Sequence, residues 1–280
     1  MTHRIALLSD VHGNVTALEA VIQDARAREV NEFWLLGDIV MPGPGTADLF
    51  ALIDALNVTV CVRGNWDDCL LESLAGQFDI DDPTQVYITR LAHYVEDSAA
   101  DAVTRISAWP LSQVVTVGPL RILVCHNLPG KNYGGDLWTT SPQGNYDSIF
   151  ATVEADMAVI GHTHAQAMRY AAGERLIVNP GTVGQPPSYL AGALATDRRA
   201  HYAILVIDET GLAEVDFRKV AYDIDAELAR AESAGLPYLD LYRESLETGA
   251  THQHDTDLLR DVNDRLGHRD AVARRTRVVE

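Results

Sequence analysis

The chain is short of cysteine, of positive charge and of long apolar runs. Cys61, Cys69 and Cys125 are its three cysteines, an odd and low count that excludes a disulfide framework. Cys61 and Cys125 sit inside apolar runs and read as buried free thiols of a reducing compartment. No apolar run approaches the roughly 20 residues that a membrane-spanning helix needs. The opening Met1-Thr2-His3-Arg4 and the brief apolar run after it do not fit a secretory leader, so a cytoplasmic protein without a membrane partner is expected. Lys and Arg total 22 against 40 Asp and Glu, a formal net charge of −18. That balance excludes a protein that grips long nucleic acid through a basic surface. It leaves room for a local pocket that holds phosphate through metal ions.

What the chain has is ordinary globular material. Apolar residues are 47% and charged residues 22% of its 280 positions, enough to build a large core and too apolar for a disordered chain. The first third alternates strand and helix patterns. Ile5–Leu8, Phe33–Leu36 and Val58–Val62 read as strands buried on both faces. Asn14 can cap a helix carrying Val15, Leu18, Val21, Ile22 and Ala25, and Thr46 one carrying Leu49, Leu52, Ile53 and Leu56. This alternation implies right-handed crossovers and a largely parallel sheet. Residues from about Pro83 to Trp109 read as helical. Beyond them come hairpins, Val114–Val117 with Leu120–Cys125, Ala167–Tyr170 with Arg175–Val178, and His201–Ile207 with Ala213–Val220. Met157–Ile160 reads as a further strand. From Tyr222 the pattern is amphipathic helix, broken at Gly235-Leu236-Pro237 and near Gly249.

Side chains with metal-ligand chemistry follow the strands one set after another. They are Asp10 and His12, Asp38, Asn65, His126, then His162 and His164. Ligand sites of open α/β sheets form beyond the carboxyl ends of strands. Asp10 and His12, two apart, would point to one side of an extended backbone, as would His162 and His164. Carboxylates, imidazoles and one amide oxygen suit borderline divalent cations such as manganese, iron or zinc. Seven ligands exceed what one ion needs, which favours two.

Asp10-Val-His12, Gly37-Asp38, Gly64-Asn65, His126 and Gly161-His162-Thr-His164 together resemble the signature of the calcineurin-like metallophosphoesterase superfamily. Asn179-Pro180-Gly181-Thr182-Val183-Gly184-Gln185 resembles a segment of its small bacterial phosphodiesterase branch. The resemblance covers about residues 3–220. It implies an α/β fold, a four-layer α/β/β/α sandwich of two mixed sheets. That domain would span residues 1–221, with 222–280 a C-terminal helical extension packed on it. It implies two divalent ions, manganese first and iron, zinc, nickel or cobalt as alternatives. Asp10, His12, Asp38 and His164 would hold one ion, and Asp38, Asn65, His126 and His162 the other. Asp38, Asn65 and His126 would be central to catalysis. The implied reaction is in-line attack of a metal-bridging hydroxide on a small phosphate ester, a diester by preference.

Two departures matter. Many members carry a proton-donating His after the Asn, where this chain has Trp66, which cannot donate near neutral pH. Faster turnover of esters with good leaving groups is therefore expected. The Arg that protein phosphatases carry soon after Gly-Asp is missing from Gly37-Asp38-Ile-Val-Met-Pro-Gly-Pro-Gly45. The Gly-rich segment from Asn127 to Trp138 begins at the proposed centre. Asn127 and Lys131 are candidate phosphate contacts there, and Tyr133 or Trp138 candidate stacking surfaces, against a plain surface loop. Asn14 reads as a cap that also faces substrate, and Trp66 as packing or pocket wall. His252-Gln-His254-Asp255 reads as solvated linker. Arg265, Arg269, Arg274, Arg275 and Arg277 read as a solvated face or an intramolecular or subunit contact, which leaves a homo-oligomer open. The alternative to an enzyme is a binding or regulatory module that keeps its metals on the same scaffold.

Overall fold

The structure, a computed structural model, describes residues 2–186 and 197–276. Three parallel strands open it, β1 (His3–Leu8), β2 (Glu32–Leu35) and β3 (Val58–Cys61), with α1 (Val15–Ala27) and α2 (Ala47–Asp54) between them. Next come α3 (Asn65–Leu74), α4 (Pro83–Ser98) and α5 (Ala100–Ser107). The second sheet is built from β4 (Ser112–Val117), β5 (Leu120–Cys125), β6 (Met157–Val159), β7 (Gln166–Ala171) and β8 (Arg175–Pro180), with α6 (Gln143–Ser148) inserted before β6. Its order is β4-β5-β6-β8-β7, parallel at the centre and antiparallel at both edges. The last hairpin, β9 (Ala200–Asp208) and β10 (Gly211–Val220), returns to the first sheet, where β9 pairs antiparallel with β1 and gives the order β10-β9-β1-β2-β3. Both sheets are therefore mixed. The first sheet, largely parallel by local alternation, is completed by antiparallel strands from about 200 residues later.

Strand alternation divides the core into three slabs. Ile5 and Leu7, Trp34 and Leu36, Ile122 and Val124, Met157 and Val159, and Ala203 and Leu205 all fill the space between the sheets. Their neighbours Ala6 and Leu8, Phe33 and Leu35, and Tyr202 and Ile204 face the helices on the outside of the first sheet. Leu123, Cys125, Ala158 and Ile160 face α6 on the outside of the second. A period of two gives each strand two buried faces, and three slabs separate four layers, the α/β/β/α sandwich.

The chain after Val220 forms α7 (Ile224–Ser233), α8 (Leu239–Thr248), α9 (Thr256–Arg265) and α10 (His268–Thr276). Leu228, Leu236, Tyr242, Leu246, Leu259 and Val262 join the helix-side core of the first sheet. Buried Glu227 reaches α1, accepting from Thr16 N at 2.9 Å and Thr16 Oγ1 at 2.6 Å, and takes Tyr242 Oη at 3.0 Å. Arg269 pairs with Asp81, and Arg275 with Glu96 and Asp97, so two of the tail arginines make intramolecular contacts. Arg277 lies outside the described residues. Among them, no helix is long and apolar enough to cross a membrane. Asn14 caps α1 by accepting from Ala17 N at 3.0 Å. Thr46 makes no side-chain cap bond at α2. Asp48 Oδ1 takes the amides of Thr46 and Leu49 instead, at 3.0 and 2.9 Å, because a carboxylate in the first turn competes well for them.

Candidate metal centre

The carboxyl ends of β1, β2 and β3 meet those of β5 and β6, and there the seven side chains assemble. Asp10, His12, Asp38 and His126 are almost wholly buried. The reason that neighbours share a side differs from the expected one. Asp10, His12, Asp38, His162 and His164 have φ of 55°, 51°, 54°, 67° and 57°. They stand in left-handed turns past the strand ends, not on extended backbone. Such conformations cost about 1–2 kcal/mol for a residue with a Cβ and persist where surrounding bonds over-determine them.

Those bonds are visible. Asp10 N and His12 N donate to Gly37 and Asp38 carbonyls at 3.0 and 2.9 Å, and Gly161 N to the His126 carbonyl at 2.8 Å. The segment 179–185 braces the same loops. Asn179 Nδ2 donates to the Gly161 carbonyl at 2.6 Å and to Thr163 Oγ1 at 3.0 Å. Thr182 Oγ1 and Gly184 N donate to the Asp10 carbonyl, both at 3.0 Å. Asp67, for which no role is evident from the sequence, joins two ligand loops. Its Oδ2 accepts from Asp38 N and Gly64 N at 2.9 Å each, and its Oδ1 from Ile39 N at 3.1 Å. An Asp in the first turn of a helix that opens at Gly64-Asn65 is the one sequence signal that could have pointed to it. Gly64 itself admits no side chain, because a Cβ there would collide with the Asp38 carboxylate and backbone nitrogen.

The ring orientations select donors. His12 Nδ1 meets the Met41 carbonyl at 2.7 Å, His126 Nδ1 the Leu36 carbonyl at 2.6 Å, and His162 Nε2 the Gly134 carbonyl at 2.9 Å. A carbonyl accepts only, so each ring donates its N–H there, and His12 and His126 turn Nε2 inward, as metal-ligating imidazoles do. His12 Nε2 and His164 Nε2 lie 3.2 Å apart. Asp10 Oδ1 lies 3.2 Å from His164 Nε2, 3.8 Å from His126 Nε2 and 3.9 Å from His12 Nε2. Yet this buried oxygen makes no hydrogen bond. Asp38 Oδ2 is 3.3 Å from His126 Nε2 and 3.8 Å from His12 Nε2, so it reaches both groups of ligands. Asn65 Oδ1 lies 3.2 Å from His126 Nε2. Two sets, Asp10 with His12 and His164, and Asp10 with Asp38 and His126, converge closely enough to share an ion. A buried orphan carboxylate oxygen among inward nitrogens fits divalent cations.

Electrostatics point the same way. Burial drives His12 and His162 down to about 4, so both are neutral and carry lone pairs at pH 7. Burial also opposes a charge on His126, but Asp38 and Asp10 outweigh it and lift His126 to about 10. Burial would raise Asp10 and Asp38, yet the surrounding imidazoles hold both below the usual carboxylate range. Without a cation, the two buried carboxylates favour the protonated form of His126.

A cavity of about 440 Å³ opens beside these groups. Asp38, Asn65, His162 and His164 lie on its floor side, with Trp66, Trp138 and Tyr133 among its walls. Trp66 stands edge-on to the His12 ring at 5.7 Å and 85°. Three of the expected substrate contacts are committed elsewhere. Asn14 is fully buried, and its Nδ2 donates to the Gly184 carbonyl at 3.1 Å and Tyr222 Oη at 3.2 Å. Asn127 Nδ2 holds the Tyr133 and Gly134 carbonyls at 2.8 and 3.3 Å. Lys131 Nζ pairs with Asp136 Oδ2 at 2.8 Å. None of the three lines the cavity, because each is used to shape the loops around it. Gln185, Gln253 and His254 do line it, although His254 reads as solvated linker in the sequence.

The profile of the calcineurin-like phosphoesterase superfamily domain matches residues 3–210. The chain belongs to that superfamily. An uncharacterised protein of Methanocaldococcus jannaschii is 25% identical over 234 residues, 79% of this chain and 88% of that protein. The crystal structure of a metallophosphoesterase from Sphaerobacter thermophilus superposes with a TM-score of 0.67 at 27% identity, over 89% of this chain and 100% of that one. A symmetrical bis(5'-nucleosyl)-tetraphosphatase of Salmonella arizonae is 39% identical over 72 residues, 25% of this chain and 26% of that protein.

Proposed function

We propose that the protein is a dinuclear-metal phosphoesterase that hydrolyses a small phosphate ester, a diester by preference, as in the small bacterial phosphodiesterase branch. The observation that carries this reading is the buried, unbonded Asp10 Oδ1 with three inward imidazole nitrogens 3.2–3.9 Å from it. Asp10, His12, Asp38 and His164 would hold one ion and Asp38, Asn65, His126 and His162 the other. The mixed nitrogen and oxygen donors suit manganese first, then iron, zinc, nickel or cobalt. When bound, such ions acidify a water and neutralise phosphoryl oxygens. The chain's own part is to orient and exclude. Asp38 spans both ligand sets and is locked through Oδ1, which accepts from Trp66 N at 2.7 Å. Asn65, at the start of α3, keeps an uncharged oxygen toward the cavity floor, which adds a donor without adding a further negative charge opposite phosphate. Trp66 closes one wall against water. A volume of about 440 Å³ accommodates a small ester.

The second reading, a binding module that retains metal, draws on Trp66 standing where a proton donor is useful. The likeness to the Salmonella tetraphosphatase spans 26% of that protein, too little to bring its substrate here. Metal analysis and hydrolysis of bis(p-nitrophenyl) phosphate by wild type, Asp38→Ala and Asn65→Ala decide between them. We expect about two ions per wild-type chain and losses of at least 100-fold in both variants. Full activity in metal-depleted protein would refute the metal role. Metal binding without turnover on any ester of a panel would favour the module.

A further inference from the structure

Part of the cavity wall comes from chain that the superfamily match, ending at residue 210, does not reach. Gln253 and His254 line it from the loop 251–255 between α8 and α9. That loop is pinned on both sides. Thr84 Oγ1 on α4 donates to the Gln253 carbonyl at 3.2 Å, and Asp255 N to the His252 carbonyl at 2.9 Å. Asp255 then caps α9 by accepting from Leu258 N at 3.1 Å. Helix α9 is anchored in turn by buried Leu259 and Val262. A loop held in this way presents its side chains at small ordering cost.

Two further features say what meets it. Trp138 and Tyr133 also line the cavity and are 38% and 60% exposed. The Trp138 ring centroid lies 6.4 Å from that of His162. An aromatic surface therefore starts beside the metal ligands and runs outward. Gln185 supplies the independent sign of a ligand. It is only 6% exposed, lines the same cavity, and its Oε1 has no hydrogen-bond partner among the described residues. A buried acceptor of this kind calls for a donor. An ionised phosphodiester offers acceptors alone, so within a substrate it is the esterified group that can supply the donor.

We propose that the loop 251–255 recognises the esterified group, and that this group is a flat ring with N–H donors on its edge, of the nucleoside type. Its face lies on Trp138, and Gln185, Gln253 and His254 meet its edge. Aromatic side chains take ring faces with little regard to sequence, whereas amides and imidazoles read edges. Only the phosphate half of this picture rests on the phosphoesterase reading.

The test measures binding, not turnover. The full chain, loaded with zinc, is titrated with 5'-AMP, glycerol 3-phosphate and inorganic phosphate, read by tryptophan quenching and equilibrium dialysis. We expect AMP to bind at least tenfold tighter than glycerol 3-phosphate. Gln253→Ala combined with His254→Ala, and separately Trp138→Ala, should bring that ratio within twofold while phosphate affinity changes less than threefold. His254 is exposed, so His254→Ala alone serves should the double variant not fold, with at least a threefold drop in the ratio. Equal wild-type affinity for AMP and glycerol 3-phosphate, or an unchanged ratio in the variants, overturns the proposal. Tight AMP binding without hydrolysis of any nucleotide ester sinks the phosphoesterase reading and leaves ring recognition standing.

Discussion

Asp67→Ala asks whether the ligand loops depend on a residue that is not itself a ligand. The substitution strands the amides of Asp38, Ile39 and Gly64, which Asp67 holds at 2.9, 3.1 and 2.9 Å. An unsatisfied buried donor costs about 1–3 kcal/mol, so the gross loss is about 3–9 kcal/mol for three. Two effects offset it. Burial and the neighbouring Asp38 charge push the Asp67 carboxyl up to about 7, so its removal relieves a few kcal/mol of unfavourable ionisation. Water entering the space left behind recovers part of the rest. We expect a net loss of about 2–4 kcal/mol in metal-depleted protein. Urea unfolding followed by tryptophan emission reads it as a midpoint lowered by about 1 M, at a slope of about 3 kcal/mol per M. Manganese affinity should fall about 10- to 100-fold, the usual effect of removing a group that orients ligands. Asp67→Asn keeps one oxygen for two of the amides and sets its NH2 against the third, so it should fall between. A stability change under about 0.5 kcal/mol together with unaltered manganese affinity would refute the reasoning.

Gly64→Ala should abolish metal binding and lower expression of folded protein, since its Cβ would meet the Asp38 carboxylate and backbone; manganese content of the purified variant is the readout. His126, lifted to about 10, must release its proton to a cation at pH 7. Calorimetry in buffers of different ionisation enthalpy should find about one proton released, and affinity should rise about tenfold per pH unit toward pH 10. In metal-free protein the sign is opposite. The raised pKa stabilises the fold fully below the ordinary 6.5, and that contribution fades as pH climbs through about 10. Unchanged metal affinity between pH 7 and 9 would contradict both statements. A chain ending at Val220 should aggregate, because Leu228, Tyr242, Leu246 and Leu259 are removed from the core they share with α1 and α4; gel filtration of the truncated protein checks this.

The five blocks with metal-ligand chemistry were legible because strand ends deliver them in chain order and each such residue type has few other reasons to follow a buried strand. The helix cap at Asn14 was legible because capping is a local matter of one side chain and the amides just after it. Long-range pairing was not. Nothing near residues 200–220 says that β9 will cross to the first sheet and lie against β1. Nor does the two-residue spacing of Asp10 and His12 reveal left-handed turns, since extended and turn backbones can bring both side chains to one centre.

By itself, then, the sequence determined which side chains gather and which cations they suit, for ligand chemistry is written in residue type and order. Tertiary structure alone decided which of the polar groups nearby line the cavity. Asn14, Asn127 and Lys131 are consumed by bonds to distant partners. Gln253 and His254, some 190 residues from Asn65 in the chain, reach its cavity because α9 buries an apolar face on α4. A side chain's type fixes what it can bond, but packing fixes what is left within its reach.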